Sequence, residues 1–290
     1  MRYFSEAERG PRARTGEELG QGAWGGVVAQ VTSLIGAGAF GAAFPAECED
    51  GGAVYGNNEH TFALALKAEI PDIEWPLHAS TVPPTLTALD LLQFCLEHVA
   101  KPEPYTFHSF FRHDHLNFDR DAGRADFIAR VERIFSRNGL AYELQTDGQV
   151  VRIAPDGIRE ALDCGRFETG DSELDALLEG ARTKFLSPDP TVRRDSLEKL
   201  WDAFERLKSL GKGKDKKAAI EAILKQAAPE ATFRARLDTE ARELTDIGNK
   251  FRIRHSETTQ VPLELDQHVD YLFHRLFGLL QLLVRTCGPF

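Results

Sequence analysis

The sequence predicts a mostly α chain in two parts. An amino-terminal α+β domain spans about residues 1–160 and ends in a β-hairpin; a carboxy-terminal α-helical bundle spans about residues 168–290. Three observations carry this division. The pattern changes near residue 165, from glycine-rich stretches and aromatic turns to almost unbroken helical periodicity. Asp147-Gly148, between two short apolar runs, supplies the positive φ angles of a tight hairpin. After residue 170, apolar residues recur at helical spacing in successive segments joined by mostly short loops, which pack as an antiparallel bundle.

In chain order, the first 18 residues read as a charged loop. Trp24, Val27, Val28, Val31, Leu34 and Ile35 then mark a helix over about 20–40, weakened by its glycines. Residues 43–58 read as a loop rich in glycine and acid. Leu86, Leu89, Leu92, Phe94 and Leu96 give a firmer helix over 86–99, opened by Pro83-Pro84. The stretch Tyr105–Asp119 has no clean period, and 121–138 is a helix on Phe127, Val131, Ile134 and Phe135. Strands at 140–144 and 149–153 follow. A helix feeding a hairpin is the local order of a winged-helix unit and equally of many α+β domains that never touch DNA. In the second part, Leu174, Leu177, Leu178, Ala181 and Phe185 share one helical face. Asp189 caps the next helix, with Pro190 at its first position and Gly211 past its end. Lys212–Lys217 is a basic linker into a short helix on Ile220, Ile223 and Leu224. Pro229 opens a helix with Phe233, Leu237, Leu244 and Ile247 inward and Gly248 near its end. The last helix, about 265–283, turns Val269, Leu272, Phe273, Leu276, Phe277, Leu280 and Leu283 inward.

Composition narrows the function. The 290 residues are 42% hydrophobic with 24 Gly and 14 Pro, which excludes a collagenous or largely disordered chain. No apolar run reaches the roughly 20 residues of a membrane helix. Met1-Arg-Tyr-Phe-Ser-Glu leads into charge rather than an apolar segment, so a cytoplasmic protein without membrane association is expected. A net charge of −10, from 35 basic and 45 acidic residues, repels polyanions and argues against a nucleic-acid coat protein. A local basic site on an acidic body remains compatible. Cys48, Cys95, Cys164 and Cys287 are far apart with no C-x-x-C pair, so they read as reduced, space-filling thiols.

Asn249-Lys-Phe-Arg-Ile-Arg-His255-Ser-Glu257 is the most suggestive stretch, lying where the helix opened by Pro229 gives out. One reading is structural: cations at a helix carboxy terminus offset its partial negative charge. The other is chemical: Arg and Lys hold a phosphate while His255 moves a proton near neutral pH. His108-Ser-Phe-Phe-Arg-His113-Asp-His115 is a second cluster. Its three imidazoles, with Asp114 and Asp119, could hold a divalent ion for metal-dependent hydrolysis. The flanking Phe107, Phe110, Phe111 and Phe118 favour instead a packed aromatic loop with hydrogen-bonded histidines, so no metal ligand and no cofactor is assigned. A third stretch, Lys212-Gly-Lys-Gly-Asp-Lys216-Lys217, concentrates charge; Lys212, Lys214, Lys216 and Lys217 either track an RNA backbone or keep a loop soluble. It is no P-loop, lacking a preceding strand and a Lys-Ser/Thr after the glycines.

Pro190-Thr-Val-Arg-Arg-Asp-Ser-Leu-Glu-Lys-Leu-Trp-Asp-Ala-Phe-Glu-Arg-Leu-Lys, followed by Phe251-Arg-Ile-Arg-His-Ser-Glu, resembles the carboxy-terminal domain of bacterial abortive-infection proteins. Tyr3-Phe-Ser-Glu and Phe127–Leu144 with the Asp147-Gly-Gln-Val-Val hairpin are similar to their amino-terminal domain. The resemblance implies a HEPN-type helical bundle and an antiphage effector acting as a metal-independent endoribonuclease on RNA. It implies a homodimer through the carboxy-terminal helices, with a defence-system protein as a further partner. His255 would be the acid or base, Arg252 and Arg254 would bind phosphate, and Lys250 would replace a missing arginine. The family signature places Arg before four to six residues and His, whereas here those positions are Gly248, Asn249 and Lys250. The alternative implied is a non-catalytic HEPN-like interaction and dimerisation module.

Overall fold

A computed structural model describes residues 3–162, 167–210, 216–251, 253 and 260–287. The chain is mostly helical and divides into two compact units, Met1–Ile153 and Ala154–Phe290. Small antiparallel sheets occur in the first, and long helices dominate the second.

The amino-terminal unit runs α1 (Phe4–Arg9), α2 (Gln21–Gly36), β1 (Pro45–Glu47), β2 (Val54–Asn57), α3 (Glu59–Glu69), α4 (Thr85–His98), β3 (Lys101–His108), β4 (His113–Asp119), α5 (Arg120–Asn138), β5 (Tyr142–Leu144) and β6 (Val150–Arg152). Its core joins Trp24, Val27 and Val31 of α2 to Phe62 and Leu66 of α3, Leu91, Leu92 and Phe94 of α4, and Phe127, Val131 and Phe135 of α5. The helices at 21–36, 85–98 and 120–138 and the hairpin β5–β6 lie where the periodicity predicts them. Gly148, at φ 96°, closes that hairpin turn.

Two further hairpins occupy stretches that read as loops. β1 pairs with β2, and β3 with β4, each as an isolated two-stranded ribbon. Pro102 and Pro104 are tolerated in β3 because a strand of a two-stranded ribbon has one side free of ladder bonds. Close backbone approaches hold both ribbons. A Cβ on Gly41 would stand 2.5 Å from the carbonyl oxygen of Gly56 in β2 and 2.7 Å from the Phe118 ring of β4. One on Gly123 of α5 would meet the Lys101 nitrogen at 2.4 Å, so α5 lies directly on the start of β3. Asp119, the last residue of β4, accepts the Ala122 N–H at 2.9 Å and caps α5.

The carboxy-terminal unit comprises α6 (Asp156–Leu162), α7 (Ser172–Phe185), α8 (Pro190–Leu210), α9 (Lys216–Ala227), α10 (Ala231–Lys250) and α11 (Asp266–Cys287). Ile158 and Leu162 of α6 pack into this unit's core, and the divide accordingly falls after Ile153. That core stacks Phe185 on Phe273, ring centres 3.9 Å apart, and buries Leu200, Trp201, Phe204, Leu244, Leu276, Phe277 and Leu280. The residues predicted to face inward on α11 are all buried. Phe233 is not: it stands exposed on α10. Gly248 serves packing rather than helix termination. Its missing Cβ makes room for the Trp201 indole, which would lie 2.3 Å away and which donates to the Leu244 carbonyl at 3.0 Å. Among the described residues, no helix is long and apolar enough to cross a membrane.

Candidate metal centre

The two amino-terminal ribbons converge on a cluster of ligand-type side chains. Alternation along β4 sends His113 and His115 to one face, with Asp114 exposed on the other. Cys48 directly follows β1, where its N–H donates to the Ala53 carbonyl at 2.8 Å and its own carbonyl accepts from Gly52 at 3.1 Å. That tight return points the buried thiol inward. Ligand atoms of Cys48, His113 and His115 all lie within 4.8 Å of one another.

The imidazoles are fixed but unsatisfied. Nε2 of both His113 and His115 is buried with no hydrogen-bond partner. Leaving a buried polar atom unpaired costs about 1–3 kcal/mol, so two at one point call for an explanation. Tyr55 of β2 stacks on His113 with ring centres 4.4 Å apart, and Phe111 lies nearly parallel to the same ring. Desolvation holds the His113 pKa below the ordinary imidazole value; His115 and then His108 reinforce this, while Asp114 opposes it. The neutral imidazole, the form that ligates metals, is therefore favoured.

The sequence reading assigned no metal ligand; the structure brings ligand-type atoms of Cys48, His113 and His115 together. The phenylalanines do not form a packed loop: Phe107 and Phe110 are exposed at the hairpin tip, while the histidines turn inward without partners for Nε2 of His113 and His115. Cys48 reads from sequence as a space-filling thiol because its neighbours are acidic and glycine-rich, and only the return of the β1–β2 ribbon brings it to β4. The i, i+2 spacing of His113 and His115 was the available signal. Cys95 differs from Cys48: it is fully buried in the α4 core, and burial pushes its thiol pKa up.

Of the predicted catalytic residues, Lys250 is the last residue of α10 and is exposed. Arg252, Arg254 and His255 lie outside the described residues, as do Lys212, Lys214 and the expected cap Gly211. Lys216 and Lys217 form the first turn of α9 rather than a linker. The flanks of the 252–259 segment are pinned. Phe251 bridges to Val261, the Val261 N–H donates to the Lys250 carbonyl at 3.1 Å, and Gln260 donates to the Asn249 carbonyl at 3.1 Å. Elsewhere in this unit two arginines each reach a pair of carboxylates. Arg206 reaches Asp171 at 2.6 Å and Glu173 at 3.1 Å, and Arg275 reaches Glu240 at 2.7 Å and Glu243 at 2.8 Å.

No family model, no curated protein and no solved structure matches the chain.

Proposed function

We propose that the amino-terminal unit is a zinc-binding module in which Cys48, His113 and His115 hold the ion. The observation that carries this reading is the meeting of a buried thiol with two histidines, one ligand atom from each of the three lying within 4.8 Å of the others, where each histidine also has a buried Nε2 without a hydrogen-bond partner. A thiolate with imidazoles selects zinc or a similar borderline ion over magnesium or calcium, which take oxygen ligands. The ion would join the β1–β2 ribbon to the β3–β4 ribbon. Isolated two-stranded ribbons are marginal in water, so the free energy of metal binding becomes folding free energy for this layer. The test is elemental analysis of the full chain after exhaustive dialysis. The expected result is about one zinc per chain, lost in Cys48→Ala and in His113→Ala/His115→Ala; a folded wild-type chain that takes up no zinc overturns the reading.

The resemblance of its motifs to abortive-infection proteins motivates a second reading for the carboxy-terminal unit. There we propose an antiphage endoribonuclease of HEPN type, in keeping with the resemblance to abortive-infection proteins. His255 transfers the proton, Arg252 and Arg254 with Lys250 hold the phosphate, and Lys212, Lys214, Lys216 and Lys217 guide RNA toward it. A homodimer brings two such sites together, and the zinc module serves as the sensing part. Cleavage of total RNA is the test. Cutting should persist in chelator and vanish in His255→Ala. No cutting by wild type overturns the nuclease and leaves a non-catalytic dimerisation module.

A further inference from the structure

Resting on the zinc reading, we infer that His108 is a fourth protein ligand, so that the centre is a closed site of one cysteine and three histidines rather than an open one. Three observations converge. First, the ring centres of His108, His113 and His115 form a nearly equilateral triangle, with sides of 5.7 Å (108–113), 5.4 Å (108–115) and 5.4 Å (113–115). Imidazoles bound to one tetrahedral ion through nitrogens about 2.0–2.1 Å from it have ring centres about 5.2 Å apart. His108 is thus spaced from each of the other two rings much as they are from one another.

Second, the hydrogen bonding of His108 sets the required tautomer. Its Nδ1 accepts the Phe111 N–H at 3.3 Å and so carries the lone pair. With the lone pair on Nδ1, the neutral ring carries its proton on Nε2, which faces Asp50 Oδ2 at 3.6 Å, just beyond hydrogen-bond range. A ligating histidine normally presents one nitrogen to the metal and its other N–H to a carboxylate, which fixes the ring and raises its basicity. Asp50 is placed to be that carboxylate.

Third, moving Nδ1 from the amide to an ion costs little. The bond to Phe111 is long, and Phe111 sits at the exposed hairpin tip, where water replaces the lost acceptor. His108 also pairs directly with His113 across the end of the ribbon and so shares its face; its nitrogens stand outside the 4.8 Å group of Cys48, His113 and His115, and its ring turns toward that group as the ion binds, with no shift of strand register. A closed sphere leaves no position for a metal-bound water. The ion then cross-links the ribbons and does not hydrolyse a substrate.

Cobalt(II) titration of the full chain tests this. Wild type should show a thiolate-to-cobalt charge-transfer band and intense tetrahedral d–d bands that azide leaves unchanged. His108→Gln should keep the thiolate band, bind at least about tenfold more weakly, and become responsive to azide. His108→Cys should restore an azide-insensitive tetrahedral spectrum with a stronger thiolate band. Asp50→Asn should weaken binding by about tenfold through the lost outer partner. If azide shifts the wild-type spectrum and His108→Gln binds as tightly as wild type, the site is open and His108 is no ligand, while the three-residue reading stands. If wild type gives no thiolate band at all, the zinc reading itself fails.

Discussion

The two units solve the same problem, placing polar chemistry inside a small fold, in opposite ways. In the carboxy-terminal unit, ridges of Leu and Phe pack long helices, and charges such as Arg206 and Arg275 meet carboxylates on neighbouring helices. In the amino-terminal unit, short ribbons are held by close approaches of glycine backbone, and Cys48 converges with His113 and His115, whose buried Nε2 atoms have no hydrogen-bond partner. Paired charge stabilises a fold as it stands. Unpaired donors at one point are satisfied only by something that arrives. On the zinc reading the ribbon layer is completed by an ion, whereas the bundle is held by its apolar core and its ion pairs.

The sharpest way to break this comparison is Gly248→Ala. A methyl group driven into the Trp201 indole should destabilise the helical unit by about 3 kcal/mol, as over-packing in a dense core does. Urea unfolding followed by Trp fluorescence measures this, and zinc uptake by the ribbons should be unchanged. A mutant as stable as wild type would show that the bundle is not packed as described. The converse is Gly123→Ala, which forces α5 away from Ala100 and Lys101. It should cost about 2 kcal/mol and, because β3 carries His108 at its far end, also weaken metal binding. Unaltered binding would separate the centre from the helix beneath it.

A smaller effect is expected for Arg275→Met, which removes ion pairs to Glu240 and Glu243 at a partly exposed site. About 1 kcal/mol of stability should be lost, and less at high salt, as thermal unfolding at two ionic strengths would show. The smallest is a pH effect. The hydrogen bond from Arg206, then the Leu174 N–H, holds the Asp171 carboxyl below its ordinary pKa. A carboxyl depressed in the folded state stabilises above its unfolded pKa of about 3.9, and that contribution is lost as pH falls through the lower folded value. Acid unfolding of Asp171→Asn should therefore show a shallower pH dependence below about pH 4; an unchanged profile would remove this helix cap from the stability of the bundle.

How much was legible follows the same divide. Helices α4, α5, α7, α8, α10 and α11 were readable because each lays a broad apolar stripe on one core. Asp189 was readable as a cap and does accept the Thr191 N–H at 2.8 Å. The ribbons were not readable. Most of β3 is exposed along its length, its two prolines argue against a strand, and no hydrophobic alternation marks a buried face. Ion pairs between helices were not legible either: the Arg206 guanidinium reaches Asp171 and Glu173 at the start of α7, 35 and 33 residues away in sequence. The candidate centre was half visible: three histidines were singled out by composition. The cysteine that turns them into a zinc-type donor set enters only through the chain's path.

Asp119 carries one more consequence. It ends the strand that bears His113 and His115 and also caps a helix of 19 residues, about 28 Å long. No slack separates ligand from helix. On the zinc reading, any strain that ion binding puts on β4 would pass straight into the first turn of α5 through this cap.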